Sequence, residues 1–179
     1  KSVQLLSDTY PSKPCRPGRV AQRDHEYVRH GTANVFCCIE PKAGRHFVKV
    51  TLRRTALDFA EVLRDISKRY PKARTIHLVM DNLNTHCLKS LIERFGEKKA
   101  KATWKQFTVH YTPKHASWLN QAEIQISAYS RAVLRHARVS STEELKTRSS
   151  KWMRKMNKQA QPFQWRFSTK DSRKIFKYK

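Results

Sequence analysis

Two short β-rich runs, TIHLVM (75–80) and QFTVHY (106–111), constrain this chain more than any other feature. The segment between them has a helical pattern, so the runs read as a βαβ unit with parallel neighbouring strands. The first run is almost continuously apolar, as expected of a strand covered on both faces. It ends on MDNLNTH (80–86), which sets Asp81 and Asn82 at its C-terminal end and His86 five residues beyond the Asp. Open α/β sheets place their ligands at that end. An Asp-Asn pair after a strand also serves as a turn or helix cap, and spacing alone leaves both readings open.

The remaining pattern predicts the elements around this unit. Residues 1–6 read as the tail of a strand whose start is missing. Residues 7–26 are a basic, Pro/Arg-rich excursion. ANVFCCIE (33–40), the turn PKAG and RHFVKVTL (45–52) read as a hairpin. Thr55 opens a helix with Asp58 in a capping-box position. Ala56, Phe59, Ala60, Leu63, Ile66 and Tyr70 supply the 3.6-residue period, and Pro71 ends it. A helix around 86–95 closes at Gly96, and EKKAKATWK reads as a basic loop. A long helix is expected over 118–138, with Leu119, Ala122, Ile126, Tyr129 and Val133 as its apolar stripe. Ser141-x-x-Glu144 caps another, carrying Leu145, Trp152 and Met156. Residues 161–179 form an aromatic, basic tail. The element order predicts one α/β domain over residues 1–179: a mixed sheet flanked by helices, the order of a ribonuclease H-like fold. On pattern alone other α/β folds stay open.

Charge narrows the partners. Thirty-eight Lys and Arg face 14 Asp and Glu, a formal net charge of +24 and a pI near 10.4. Such a field attracts polyanions, nucleic acid first among them. No run approaches the roughly 18 apolar residues of a membrane span, and mean hydropathy is -0.76. Cys15, Cys37, Cys38 and Cys87 lack zinc spacing and read as reduced thiols of an intracellular protein. Cys37 and Cys38, adjacent in a strand, point to opposite faces.

Glu123 lies in the first turns of the helix that follows the second run, where it can approach Asp81. Two carboxylates there repel unless a cation or proton intervenes, and they suit Mg²⁺, which binds one or two carboxylates plus water and phosphate oxygens. Glu123 could equally complement the helix dipole.

The stretches DHEYVRHGTANVF (24–36), MDNLNTH (80–86) and HYTPKHASWLNQAEIQISAYSRAVL (110–134) closely resemble bacterial insertion-sequence transposases of the DDE type, in the branch related to mariner elements. QPFQWRFSTKDSRK resembles that group's C-terminus. The resemblance implies a ribonuclease H-like catalytic domain in which three carboxylates hold two divalent ions, Mg²⁺ or Mn²⁺. Asp81 matches the second carboxylate and Glu123 the third. The first belongs to a D-E-K-S sequence and would fall two residues before Lys1; Asp8 and Asp24 do not match it. By the same resemblance an N-terminal helix-turn-helix region and the start of the first strand are lacking, and the chain as given is expected to be inactive.

Asn82, His86, His115, Ser117 and Asn120 are candidates to orient the carboxylates or meet DNA backbone, and Trp118 a core anchor. Arg16, Arg19, Arg23, Lys114, His115, Arg131 and Arg135 are candidate phosphate contacts. The implied partners are double-stranded DNA, as terminal inverted repeats and target, and a second copy in a homodimer. The implied setting is the bacterial cytoplasm and nucleoid. The competing reading is a non-catalytic nucleic-acid-binding or assembly domain from a decayed or repurposed transposase. A cellular ribonuclease or junction resolvase on the same fold is a third.

Overall fold

A computed structural model describes residues 1–113, 120–135, 138–164, 166 and 168–176. Three antiparallel strands come first: β1 (Ser2–Asp8), β2 (Tyr27–Glu40) and β3 (Arg45–Thr51), in the order β1-β2-β3. Then follow α1 (Ala56–Arg69), β4 (Ile76–Met80), α2 (Leu88–Phe95), α3 (Glu97–Trp104) and β5 (Phe107–Tyr111). β4 and β5 pair in parallel, His77 level with Thr108 and Val79 with His110. The chain continues through α4 (Gln121–Tyr129), α5 (Thr142–Gln159) and α6 (Thr169–Phe176). Antiparallel and parallel strands flanked by helices are thus both present, as the ribonuclease H-like reading requires. No helix among the described residues is long and apolar enough to cross a membrane.

Alternation along β2 organises the interior. Val35 and Cys37 face a first core with Val3, Leu5, Tyr129, Val133, Leu145 and Trp152. Phe36 and Cys38 face a second, built by α1, β4, α2, α3 and β5 around Phe59, Leu63, Met80, Leu91 and Phe107. The two cysteines therefore point to opposite faces. Burial pushes the Cys37 thiol up to about 11 and the Cys38 thiol up to about 12, so both stay protonated and serve as packing.

Local chemistry explains the boundaries. Thr55 and Asp58 form the expected capping box. α1 buries Phe59, Ala60, Val62, Leu63 and Ile66, each large side chain stabilising by roughly 1.5–3 kcal/mol. EKKAKATW is helix rather than loop. Its lysines stay solvated while Ala100 is fully buried, and Lys101 pairs with Glu97 one turn back at 2.5 Å. The long helix expected over 118–138 is shorter where it is described. Asn120 caps α4 by accepting from the Ala122 N–H at 3.0 Å. Residues Ser130–Leu134 widen into a π-turn, in which the Arg135 N–H reaches the Ser130 carbonyl at 3.1 Å. Leu119 lies outside the described residues, as does Trp118. Ser141 caps α5, which docks on β3 through Asn157. Its Oδ1 accepts from the His46 N–H at 2.7 Å and its Nδ2 donates to the His46 carbonyl at 2.9 Å.

The strands add one detail that the pattern did not carry, and one expectation about them needs correction. The strands form two hydrogen-bonded groups, β1-β2-β3 and β4-β5, with no ladder joining them among the described residues. β4 is also covered on one face only. Ile76, Leu78 and Met80 meet the second core, while Val79 is 53% exposed and His77 is exposed beside it.

Gly44 and Ala160 make opposite stability predictions. Gly44 has φ +61°, and a Cβ there would lie 2.1 Å from the Gln161 carbonyl oxygen. Gly44→Ala should destabilise by about 1–3 kcal/mol. Ala160 ends α5 in the left-handed region at φ 42°, so Ala160→Gly should stabilise by about 1 kcal/mol. Urea unfolding of both variants reads the two signs. His46 is buried against Trp152 and Phe163, and burial lowers its pKa. The unfolded chain then binds that proton more readily than the folded one. Stability should be full above the ordinary value of about 6.5 and decline as pH falls below it; His46→Gln should flatten that slope.

Candidate active site

A cavity of about 700 Å³ opens between β2 and β4, floored by apolar side chains of α1. Its walls include Asp81 at the end of β4, His86 in the following turn, and Asn120 and Glu123 at the start of α4. The two acids separated by 42 positions in sequence therefore meet one common space. Glu123 also exerts a favourable pull on the Lys1 α-amino group, which burial and Arg54 push downward.

The cavity lies where two strand edges have no partner among the described residues. β1 pairs with β2 along Tyr27–Asn34, and β3 takes the opposite edge along Asn34–Glu40. Past Asn34 the β1 side of β2 keeps one exchange, between Lys1 and Val35 at 2.7 and 2.8 Å. Among the described residues β4 pairs only with β5. The gap is bounded by β2 on one side and β4 on the other, and it is lined largely by Val35, Phe36, Phe59, Leu63 and Leu78.

Asp81 is positioned by its neighbours. His86 Nδ1 lies 2.6 Å from Asp81 Oδ1 and 3.3 Å from the Asp81 carbonyl oxygen. The approach to Oδ1 is off-axis, so this buried oxygen has a close imidazole neighbour yet no well-angled hydrogen bond. The side chain is 43% exposed, and with Oδ1 buried that exposure falls on the rest of the group. His86 is held in turn. Its ring stacks on Phe59 at 4.5 Å, its N–H donates to the Leu83 carbonyl at 2.7 Å, and its carbonyl accepts from the Tyr111 hydroxyl at 2.8 Å.

Other expected site residues divide. Asn82 turns away from the cavity: its Nδ2 donates to the Thr112 carbonyl at 2.6 Å, tying the ends of β4 and β5 together. Asn120 caps α4 and so fixes where Glu123 sits in the first turn. Arg16 and Arg19 are exposed on the excursion. Arg23 points back toward the sheet and pairs with Asp8 at 3.1 Å. Arg131 is exposed and bonds Ser127 on its own helix at 2.8 Å. Arg135 is exposed after the wide turn. Lys114, His115 and Ser117 lie outside the described residues.

The sequence reading missed Arg54 on the cavity wall and Arg138, whose guanidinium reaches three main-chain carbonyls near the start of β2. Neither carries a motif; each is one arginine among many, and only the fold distinguishes it.

Two carboxylates and a histidine bordering one partly open space offer hard oxygen donors to a cation and a positioning group to one of them. Among the described residues no group of three His, Cys, Asp or Glu is close enough to hold an ion alone. The donor set fits a divalent cation that completes its shell with water and phosphate oxygens. No curated protein and no solved structure matches the chain. The sequence model described as DDE superfamily endonuclease matches residues 4–146, most of its length. The chain belongs to the DDE superfamily of endonucleases.

Proposed function

We propose that this chain is the catalytic domain of a DNA transposase, in the branch related to mariner elements, and that it cleaves phosphodiester bonds and joins strands at transposon ends. The observation that carries the reading is the convergence of Asp81 and Glu123 on one cavity. In a chain of +24, two acids facing a common space would repel duplex phosphate unless a cation lay between.

Asp81 and Glu123 would hold Mg²⁺, or Mn²⁺ in its place. Bound there, divalent cations activate a water or 3′-hydroxyl and stabilise the leaving oxygen. The chain's own residues supply the rest. His86, clamped by Phe59 and Tyr111, fixes the Asp81 carboxylate. The Asn120 cap fixes the turn that carries Glu123. Surface Lys and Arg would bring phosphate toward the cavity, whose two carboxylates share its walls with Arg54 and Lys1.

A third carboxylate completes the set if a strand occupies the gap between β2 and β4. Pairing of Lys1 with Val35 directs a strand leading into Lys1 along the open edge of β2. An Asp two residues before Lys1 would then stand on that strand. Nicking should need a third carboxylate beside Asp81 and Glu123. A version extended by a strand bearing D-E before Lys1 should nick supercoiled plasmid with Mg²⁺ or Mn²⁺.

In the extended protein, Asp81→Asn and Glu123→Gln should each lower nicking by at least about 10²-fold. DNA binding should be unchanged or slightly tighter, because a negative charge near phosphate is removed. Nicking that survives both substitutions sinks the assignment. Binding without nicking under every condition favours the alternative, a non-catalytic DNA-binding or assembly domain.

A further inference from the structure

Residues 9–26 leave the sheet between β1 and β2 and send no side chain into either core. They are nevertheless built. Lys13 and Gln22 exchange both main-chain hydrogen bonds at 2.9 and 3.0 Å, and Arg16 and Arg19 do the same at 3.1 and 2.9 Å. The shared register leaves Pro17-Gly18 as a two-residue loop, with Gly18 at φ +73°. Pro then Gly with positive φ are the central residues of a type II turn. Three prolines, Pro11, Pro14 and Pro17, stiffen the approach.

The tip of this arm is electrostatically unfavourable on its own. Arg16 and Arg19 sit directly opposite one another on one face, and like charges in that relation destabilise a strand pair. Residues 9–23 contain Lys13, Arg16, Arg19 and Arg23 and no acid. Neither tip guanidinium has an ion-pair partner among the described residues. A polyanion lying across the tip would relieve the repulsion.

The base of the arm, by contrast, is knotted by a single side chain. Arg138 donates to the carbonyls of Asp24 at 2.9 Å and His25 at 3.2 Å, and also to that of Glu26. Its NH1 pairs with Asp8 at 2.9 Å, and its guanidinium lies 5.2 Å from the centre of the Tyr27 ring. Asp8 also accepts from Arg23 at 3.1 Å and from Ser12 at 3.2 Å. Both roots of the arm therefore converge on one guanidinium. That guanidinium is anchored from behind: the next residue, Val139, is buried in the first core, and its carbonyl accepts from the Leu6 N–H at 2.7 Å.

We propose that Arg138 is a positioning residue that aims this arm, and that the arm's tip grips the phosphate backbone of duplex DNA through Arg16 and Arg19. The inference rests on the DNA reading given above and adds to it a specific subsite and the residue that orients it. Arg138 does not touch DNA; it acts through the direction in which it holds the other two.

The test measures affinity of the full chain for a mixed-sequence duplex across a salt series, with circular dichroism on each variant. Arg16→Ala/Arg19→Ala should shallow the slope of log K against log salt by about 1.8, two phosphate contacts at about 0.9 each. Arg138→Gln should lose a similar part of the slope while the fold is retained, and the triple variant should lose no more than the tip pair alone. Limited trypsin digestion should cut the arm faster in Arg138→Gln than in the parent chain. Tip variants that bind with the parent slope overturn the proposal, because their exposed side chains cannot disturb folding. Additive losses from tip and anchor overturn the positioning role. A parent chain that does not bind duplex at all sinks the DNA reading itself, a distinct outcome.

Discussion

β2 presents different side chains to its two faces, and both faces are interior. Val35 and Cys37 close one core and Phe36 and Cys38 close the other. A one-residue slip would exchange the two sets and mismatch both at once. That constraint fixes β1 and β3 by register, α5 by packing under β3, and α1 by packing against the opposite face. The site follows from it. Asp81 is carried by a strand of the second core, while the helix bearing Glu123 leads through Tyr129 into the first, so their meeting depends on the one strand that both cores share.

Legibility in the sequence tracked how local each determinant was. The Thr55–Asp58 cap, the α1 stripe, the Gly96 stop, the hairpin around Pro41–Gly44 and the Ser141–Glu144 cap are decided within a few residues, and their patterns state them directly. EKKAKATWK misled because its lysine count resembles a solvated loop, whereas Ala100 needs only one narrow face to bury a helix. Coverage of β4 misled for the opposite reason. A continuous apolar run reports what a strand could bury, and whether a partner lies on each face is a property of the whole chain. Asp81 and Glu123 were legible through strand ends and helix starts together with a long motif; Asn82 carried the same motif yet spends its amide on Thr112. Arg138 was invisible because its meaning lies in three carbonyls more than a hundred positions away.

The distribution of charge sets two carboxylates at one cavity of a strongly basic protein. Most of the 38 cations lie on the surface, where each exposed pair contributes little to stability. Their summed field acts at longer range and concentrates polyanion near the molecule. At the cavity the signs mix, because Asp81 and Glu123 share its walls with Arg54 and Lys1. Under the proposed function, a cation between the two carboxylates would let phosphate approach them.

The same logic separates the excursion's arginines. Arg23 is neutralised by Asp8 and consumed in holding the arm, as is Arg138. Arg16 and Arg19 are opposed at the tip and have no ion-pair partner among the described residues. A basic side chain that folding has not satisfied, on an element pinned by main-chain pairs, is where an external anion would gain most. Composition counts all four as equal; the hydrogen bonds divide them into two that hold the arm and two that reach from it.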